Sequence, residues 1–209
     1  MKKIVALFVI AFAWAGMHAQ GFGVEAGLNF GSMKYESGSI TMKFKSHMGF
    51  YAGVNYEYEV GENMYLHGGL AFSQYGGKYS EDGLSLTMTM NYIDIPFMFK
   101  YGFDLSDNIR GFAIGGLSIG MGLGGKAVAS YDGDSDSADI IFTGTYDNNN
   151  SDKVQFKPLN MGLRFGAGLS FGQFEGGLYY TTGVSDISLD NDVATKTSLF
   201  SLILGYRFM

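Results

Sequence analysis

The run DGDSDSAD, residues 132–139, places carboxylates at its first, third and fifth positions. That is the opening spacing of an oxygen-ligated calcium loop, in which alternate side chains wrap a hard cation. The loop also requires Gly at its sixth position and a bidentate Glu at its twelfth, where this chain has Ser137 and Thr143. The run therefore reads as a solvated acidic loop, with Asp132, Asp134 and Asp136 as the only metal candidates. YDNNNSDK, 146–153, extends the same polarity. A second chemistry would be acyl hydrolysis, which needs a Ser nucleophile with His and a carboxylate in reach. Ser46 adjoins His47, but neighbours on a strand point to opposite faces, and His67 sits near the other end of its strand. No catalytic residue is assigned and the protein reads as non-enzymatic. The chain has no Cys, which removes thiolate metal sites and Cys nucleophiles, and no cofactor is expected.

A third set of charges is spread singly through apolar or Gly-rich runs: Glu25, Glu57, Asp94, Lys100, Arg164, Glu175 and Arg207. NYIDIPFMFKYGF, 91–103, shows the pattern, with Asp94, Pro96, Met98 and Lys100 alternating with Ile93, Ile95, Phe97, Phe99 and Tyr101. Period two implies strands, one face apolar and the other polar. It recurs from Phe22 to Phe30, His47 to Val60, Met64 to Tyr79, Arg110 to Leu123, Pro158 to Phe171, Phe174 to Val184 and Ser198 to Phe208. With the 91–103 run this makes eight strands. A bulge is expected where the phase blurs at Gly115–Gly116, and a bulge or an unpaired carbonyl opposite Pro96, which has no N–H to donate.

The connections alternate in length. Long ones are expected at 31–46, 80–88, 124–156 and 184–197, and short ones at 61–63, 102–109 and 172–173. The expected fold is all-β, an eight-stranded antiparallel up-and-down transmembrane β-barrel, with short periplasmic turns, both termini in the periplasm and long loops outside. Residues 1–19 read as a signal peptide, with basic Lys2 and Lys3, an apolar run from Ile4 to Ala15 and Ala19 at the cut, leaving 20–209 as the barrel. Without Lys2 and Lys3 the mature chain carries 12 basic and 20 acidic residues, a balance that argues against nucleic acid as a partner.

Alternation alone does not separate a membrane barrel from a soluble, lipocalin-like one; the polar face does. It consists mainly of Gly, Ser, Asn and Tyr with isolated charges of both signs, too sparsely charged for a water-exposed surface. Glu25, Glu57, Asp94 and Glu175 are expected to pair with Lys100, Arg164 and Arg207 inside a lumen, because desolvated charges require partners. Tyr56, Tyr58, Tyr101, Phe103, Tyr206 and Phe208 form an aromatic girdle at the short-turn rim. The expected location is the outer membrane, with its lipids as the first partner.

GVEAGLNF, NYIDIPFMFKY, GLRFGAGLSF, LYYTTGVSDI and the closing LILGYRF together resemble the PorT-like outer-membrane β-barrel family of Bacteroidota, over Gly21 to Phe208. The central stretch matches a Tyr-Leu-Glu-Ile-Pro-Leu pattern. Gly69 stands where the family's third strand usually has an acid, and Met209 follows the aromatic that ordinarily ends the chain. The resemblance implies an outer-membrane barrel inserted by the barrel-assembly machinery through its C-terminal strand. The expected role is a structural, assembly or interaction component, with protein partners at the extracellular loops or periplasmic turns. The alternative is a barrel that binds or passes a small apolar molecule.

Overall fold

The computed structural model describes residues 21–208 except Ser39, Asp82, Gly133 and Asn191, so the signal segment 1–19 lies outside the described residues. The strands are β1 (Phe22–Ser37), β2 (Ile40–Lys43), β3 (His47–Gly61), β4 (Met64–Glu81), β5 (Leu84–Ser106), β6 (Ile109–Tyr131), β7 (Asp134–Phe142), β8 (Val154–Phe156), β9 (Leu159–Phe171), β10 (Phe174–Gly183) and β11 (Val193–Arg207). Eight of them, β1, β3, β4, β5, β6, β9, β10 and β11, pair in that order as antiparallel neighbours, and β11 returns to β1. The closing seam runs from Gly23 opposite Arg207 to Ser37 opposite Val193. Closure gives every wall strand two neighbours, which a bilayer demands because lipid cannot hydrogen-bond a free edge.

The two faces sort as the period-two pattern requires. Phe97 is 61% exposed and Leu204 is 66% exposed, whereas Asp94, Asn29 and Ser73 are fully buried. Phe50, Leu70, Leu163, Phe165, Leu169, Leu178 and Leu202 also point outward. Apolar outside and polar inside is the membrane arrangement and the reverse of a soluble lipocalin-like barrel.

Two expectations about pairing are corrected and a third is narrowed to one of its two alternatives. First, residues 80–88 and much of 124–156 form paired ribbon rather than open loop. β4 and β5 stay paired to Glu81 opposite Leu84, and β6 continues with β7 to Tyr131 opposite Asp134. Ser85, Thr87 and Thr89 alternate with Leu86, Met88 and Met90 there, and pairing satisfies their backbone groups beyond the lipid. Second, the ladder is regular through Gly115 and Gly116 on both sides. The extra residue is instead Leu123, because Asn91 faces Gly124 while Tyr92 faces Gly122. Gly124 has φ of +147°, a conformation that a side chain would strain. Third, of the two outcomes expected at Pro96, the bulge is absent and the loss of pairing opposite the proline is present. The register of β4 on β5 is unshifted from Ala71–Asp94 to Gly68–Phe97, but the ladder is interrupted at Gly69 and Leu70, opposite Pro96 and Ile95. The ring's missing donor is absorbed as a gap in one ladder, while Pro96 stays paired with Ser118 on the other side.

The longer connections turn inward over the mouth at their end of the barrel. Phe44 after β2, Ile140 of β7, Phe156 of β8 and Ile187 before β11 join Met33, Met90, Tyr92 and Leu199 in one buried apolar cluster. Between β7 and β8, Gln155 organises the chain by donating to the carbonyls of Asp147 (2.8 Å) and Asn150 (2.9 Å). The Asp147 carboxylate accepts from Asn150 Nδ2 at 2.7 Å and from the Asn149 N–H at 2.9 Å. These two donors, the Asn150 amide first, hold its pKa below the ordinary carboxylate range. Since the folded-state pKa is the lower one, the turn's added stability is complete above the ordinary carboxylate pKa and fades as pH falls through the lowered one. Asp147→Ala is expected to speed amide hydrogen exchange across 148–153 and leave the barrel's unfolding midpoint unchanged. Unchanged exchange would show that Gln155 alone holds the turn.

Candidate functional site: the charged lumen

The inward-facing charges lie in two zones. Toward the short-turn end, Gly205 pairs with both Glu25 and Glu175, and Gly23 pairs with Arg207. Residues without side chains flank long charged ones, which gives those chains room to cross the lumen. The Glu57 carboxylate is the hub. Its Oε1 accepts from Lys100 Nζ at 3.0 Å and meets His67 Nδ1 at 3.1 Å, and its Oε2 accepts from Arg207. Glu175 bridges the same two cations, at 2.5 Å to Lys100 and 2.6 Å to Arg207, and takes a third bond from Ser170 Oγ at 2.8 Å. Glu25 sits one step further in, 3.9 Å from His67 Nε2 and accepting the Tyr51 hydroxyl at 3.0 Å. Lys100 also lies 4.3 Å from the centre of the Phe112 ring. Charge-assisted bonds in a desolvated lumen are the strong kind, provided each group has its partner.

The central zone departs from the expected pairing. Arg164 and Asp94 are both almost completely buried, yet neither forms an ion pair within 4 Å among the described residues. Arg164 instead lies between two rings, 4.7 Å from Tyr179 and 5.1 Å from Tyr51. Asp94 accepts the Tyr75 hydroxyl, at 3.0 and 3.2 Å to its two oxygens. The tyrosines intervene: aromatic faces take the cation and a phenol takes the anion, so the two charges interact across a distance rather than in contact. Above them Asn29 ties three strands, donating to Ser73 Oγ at 2.9 Å and accepting from Ser201 Oγ at 2.7 Å. Asn160 Nδ2 donates to Thr197 Oγ1 at 2.9 Å.

Phase alone places Tyr51, His67, Tyr75 and Tyr179 indoors; their role as bridges is invisible until the register is known. At the short-turn mouth a basin of about 170 Å³ remains, bounded by Tyr65, Lys100, Arg110, Ser170, Glu175 and Arg207.

The other candidates do not converge. Asp132 occupies a turn with φ of +50°, while Asp134 and Asp136 lie two apart on exposed β7. Among the described residues no three His, Asp or Glu side chains gather as a metal site. His47 Nε2 meets Thr89 Oγ1 at 3.2 Å rather than Ser46.

Among solved structures, the chain is similar to Ail of Yersinia pestis, solved with the heparin analogue sucrose octasulfate, at 19% identity and a TM-score of 0.42, covering 90% of this chain and 99% of that one. Neisserial surface protein A is similar at 15% identity and TM-score 0.44, covering 91% and 99%. The outer membrane enzyme PagL is similar at 16% identity and TM-score 0.41, covering 85% and 98%. No curated protein matches the chain. The family described as outer membrane protein beta-barrel domain matches residues 17–189, more than half of the chain. This chain, with its closed antiparallel wall, apolar exterior and polar lumen, therefore belongs to the outer membrane protein beta-barrel domain family and is located in the outer membrane.

Proposed function

We propose that the mature chain, 20–209 after loss of a signal peptide at 1–19, is a non-enzymatic, non-conducting barrel that serves as a structural, assembly or interaction component of the outer membrane. The observation that carries this reading is the filled lumen. Glu57 and Glu175 clamp Lys100 and Arg207 across the periplasmic half, and the Phe44, Ile140, Phe156 and Ile187 side chains cover the other mouth. An eight-stranded barrel is narrow enough for its own side chains to fill. With passage blocked, the surfaces left for recognition are the acidic β6–β7 ribbon outside and the short turns inside.

Within the family, NYIDIPFMFKY supports a PorT-like kinship, and LILGYRF supports recognition of the last strand by the barrel-assembly machinery. The test is planar-bilayer recording of the refolded protein. The expected result is no steady conductance of porin size; a stable open level of that size would overturn the closed-lumen reading. Cross-linking in whole cells is expected to trap a protein partner through the extracellular ribbon or the periplasmic turns.

A further inference from the structure

At the end of the wall that carries the long connections, lysines from four strands and connections line up on the outward face. The outward residues of β1 run Phe22, Val24, Ala26, Leu28, Phe30, Ser32 and Lys34. Lys196 of β11 lies directly opposite Lys34 on one side, and Lys43 of β2 lies opposite it on the other. Two residues further, Lys45 pairs with Lys78 of β4, each N–H donating to the other's carbonyl at 2.7 and 2.9 Å. Directly paired residues share a face of the sheet. Met33, Phe44, Thr195 and Thr197, the sequence neighbours of these lysines, are buried, so the five exposed lysines point away from the barrel axis.

Like charges set directly opposite one another destabilise a sheet. The chain is acidic, with a formal net charge of −6, yet five of its 14 lysines and arginines stand in this one row. Among the described residues the row's only ion pair is Lys34 with Glu36 at 2.5 Å, which leaves Lys43, Lys45, Lys78 and Lys196 without one. The height of the row identifies its counterpart. Phe30 is the last apolar outward residue of β1 and faces Phe200 and Met48. Lys34 lies four residues beyond it, about 13 Å along the strand and roughly 10 Å along the membrane normal once tilt is allowed for. The headgroup layer extends about 5–8 Å past the hydrocarbon, within reach of a lysine stem that bends toward it.

We infer that this row binds the phosphorylated sugar headgroup of an outer-leaflet glycolipid of the lipid A type. Lys34, Lys43 and Lys196 hold its phosphates, and Phe30, Phe200 and Met48 receive its acyl chains. Neighbouring strands stand about 4.8 Å apart, so one phosphate can accept from two lysines at once. The ammoniums then take the place of the divalent cations that anionic headgroups otherwise need between them. The inference rests on the orientation proposed above, with the long connections outside.

The test is native mass spectrometry of the refolded mature protein in detergent with EDTA, offered equal amounts of diphosphorylated lipid A, dephosphorylated lipid A and phosphatidylglycerol. Diphosphorylated lipid A should dominate the retained lipid. The triple variant Lys34→Gln, Lys43→Gln, Lys196→Gln should lower its retention about tenfold or more, whereas Lys153→Gln, away from the row, should leave it unchanged. Heat-modifiable gel mobility confirms that the variants are folded. Equal retention of dephosphorylated lipid A or phosphatidylglycerol, or wild-type retention by the folded triple variant, would overturn the assignment. So would displacement of the lipid by inorganic tripolyphosphate at equal phosphate concentration, which would make the row a site for free polyanions. Orientation is tested separately with Ser135→Cys, since the chain has no other cysteine. It should react with a membrane-impermeant maleimide on whole cells; protection there would overturn the orientation itself, a failure distinct from that of the lysine row.

Discussion

Replacing Glu57 with Ala is expected to destabilise the barrel by about 3–5 kcal/mol, the range for removing one partner of a buried ion pair. The carboxylate is nearly inaccessible, as is the Lys100 ammonium it contacts, so neither water nor salt can take its place. Its loss strands Lys100, Arg207 and His67 around one gap, with Glu175 left to serve two cations. Arg207→Ala should cost less, because the Arg207 side chain is 22% exposed and Lys100 remains to hold both acids. Urea unfolding from lipid vesicles, followed by the heat-modifiable mobility shift, measures the difference. Equal midpoints for Glu57→Ala and the wild type would remove Glu57 from the centre of the network.

The second large effect is expected at Arg164. Arg164→Ala should cost about 3 kcal/mol or more, since it deletes a buried cation and leaves Asp94 and Glu25 facing each other's field without it. The informative variant is Arg164→Lys, which keeps the charge but has no planar face to lie between Tyr51 and Tyr179. If ring stacking holds the guanidinium, Lys should recover only part of the loss, leaving a deficit of about 1–2 kcal/mol. Full recovery by Lys would mean that charge alone matters and that the rings are passive walls. The same unfolding assay decides between them.

The wall was legible because its physics is periodic. Ile95, Phe97 and Phe99 must face lipid if Asp94 and Lys100 face inward, and one such assignment fixes a whole strand. What period two does not carry is height, the alignment of one strand against the next. Lys100 meets Glu57 and Glu175 because β5, β3 and β10 bring those residues to one level, whereas Arg164 reaches tyrosines instead of Asp94. Nothing in either residue's neighbours in sequence distinguishes the two outcomes. The ribbons beyond the membrane were misread for a related reason. Polar alternation such as Ser85, Thr87 and Thr89 resembles loop composition, and only the partner strand shows that it is paired. The bulge escaped because Gly is frequent throughout β6, so composition could not single out Gly124.

The paired ribbon of β6 and β7 also sets a distance. From Leu123 to the Tyr131–Asp134 end, β6 advances by about 26 Å at the usual rise per residue, and strand tilt leaves roughly 20 Å of that along the membrane normal. Electrostatic screening at physiological salt decays over about 8 Å. Asp132 and Asp134 at the ribbon's far end are therefore held about two screening lengths from the edge of the hydrocarbon, and Asp136, opposite Ala129, somewhat less. The tip's negative field is thus screened from that of the headgroups, so the ribbon's carboxylates act on their surroundings independently of the charge of the bilayer below them.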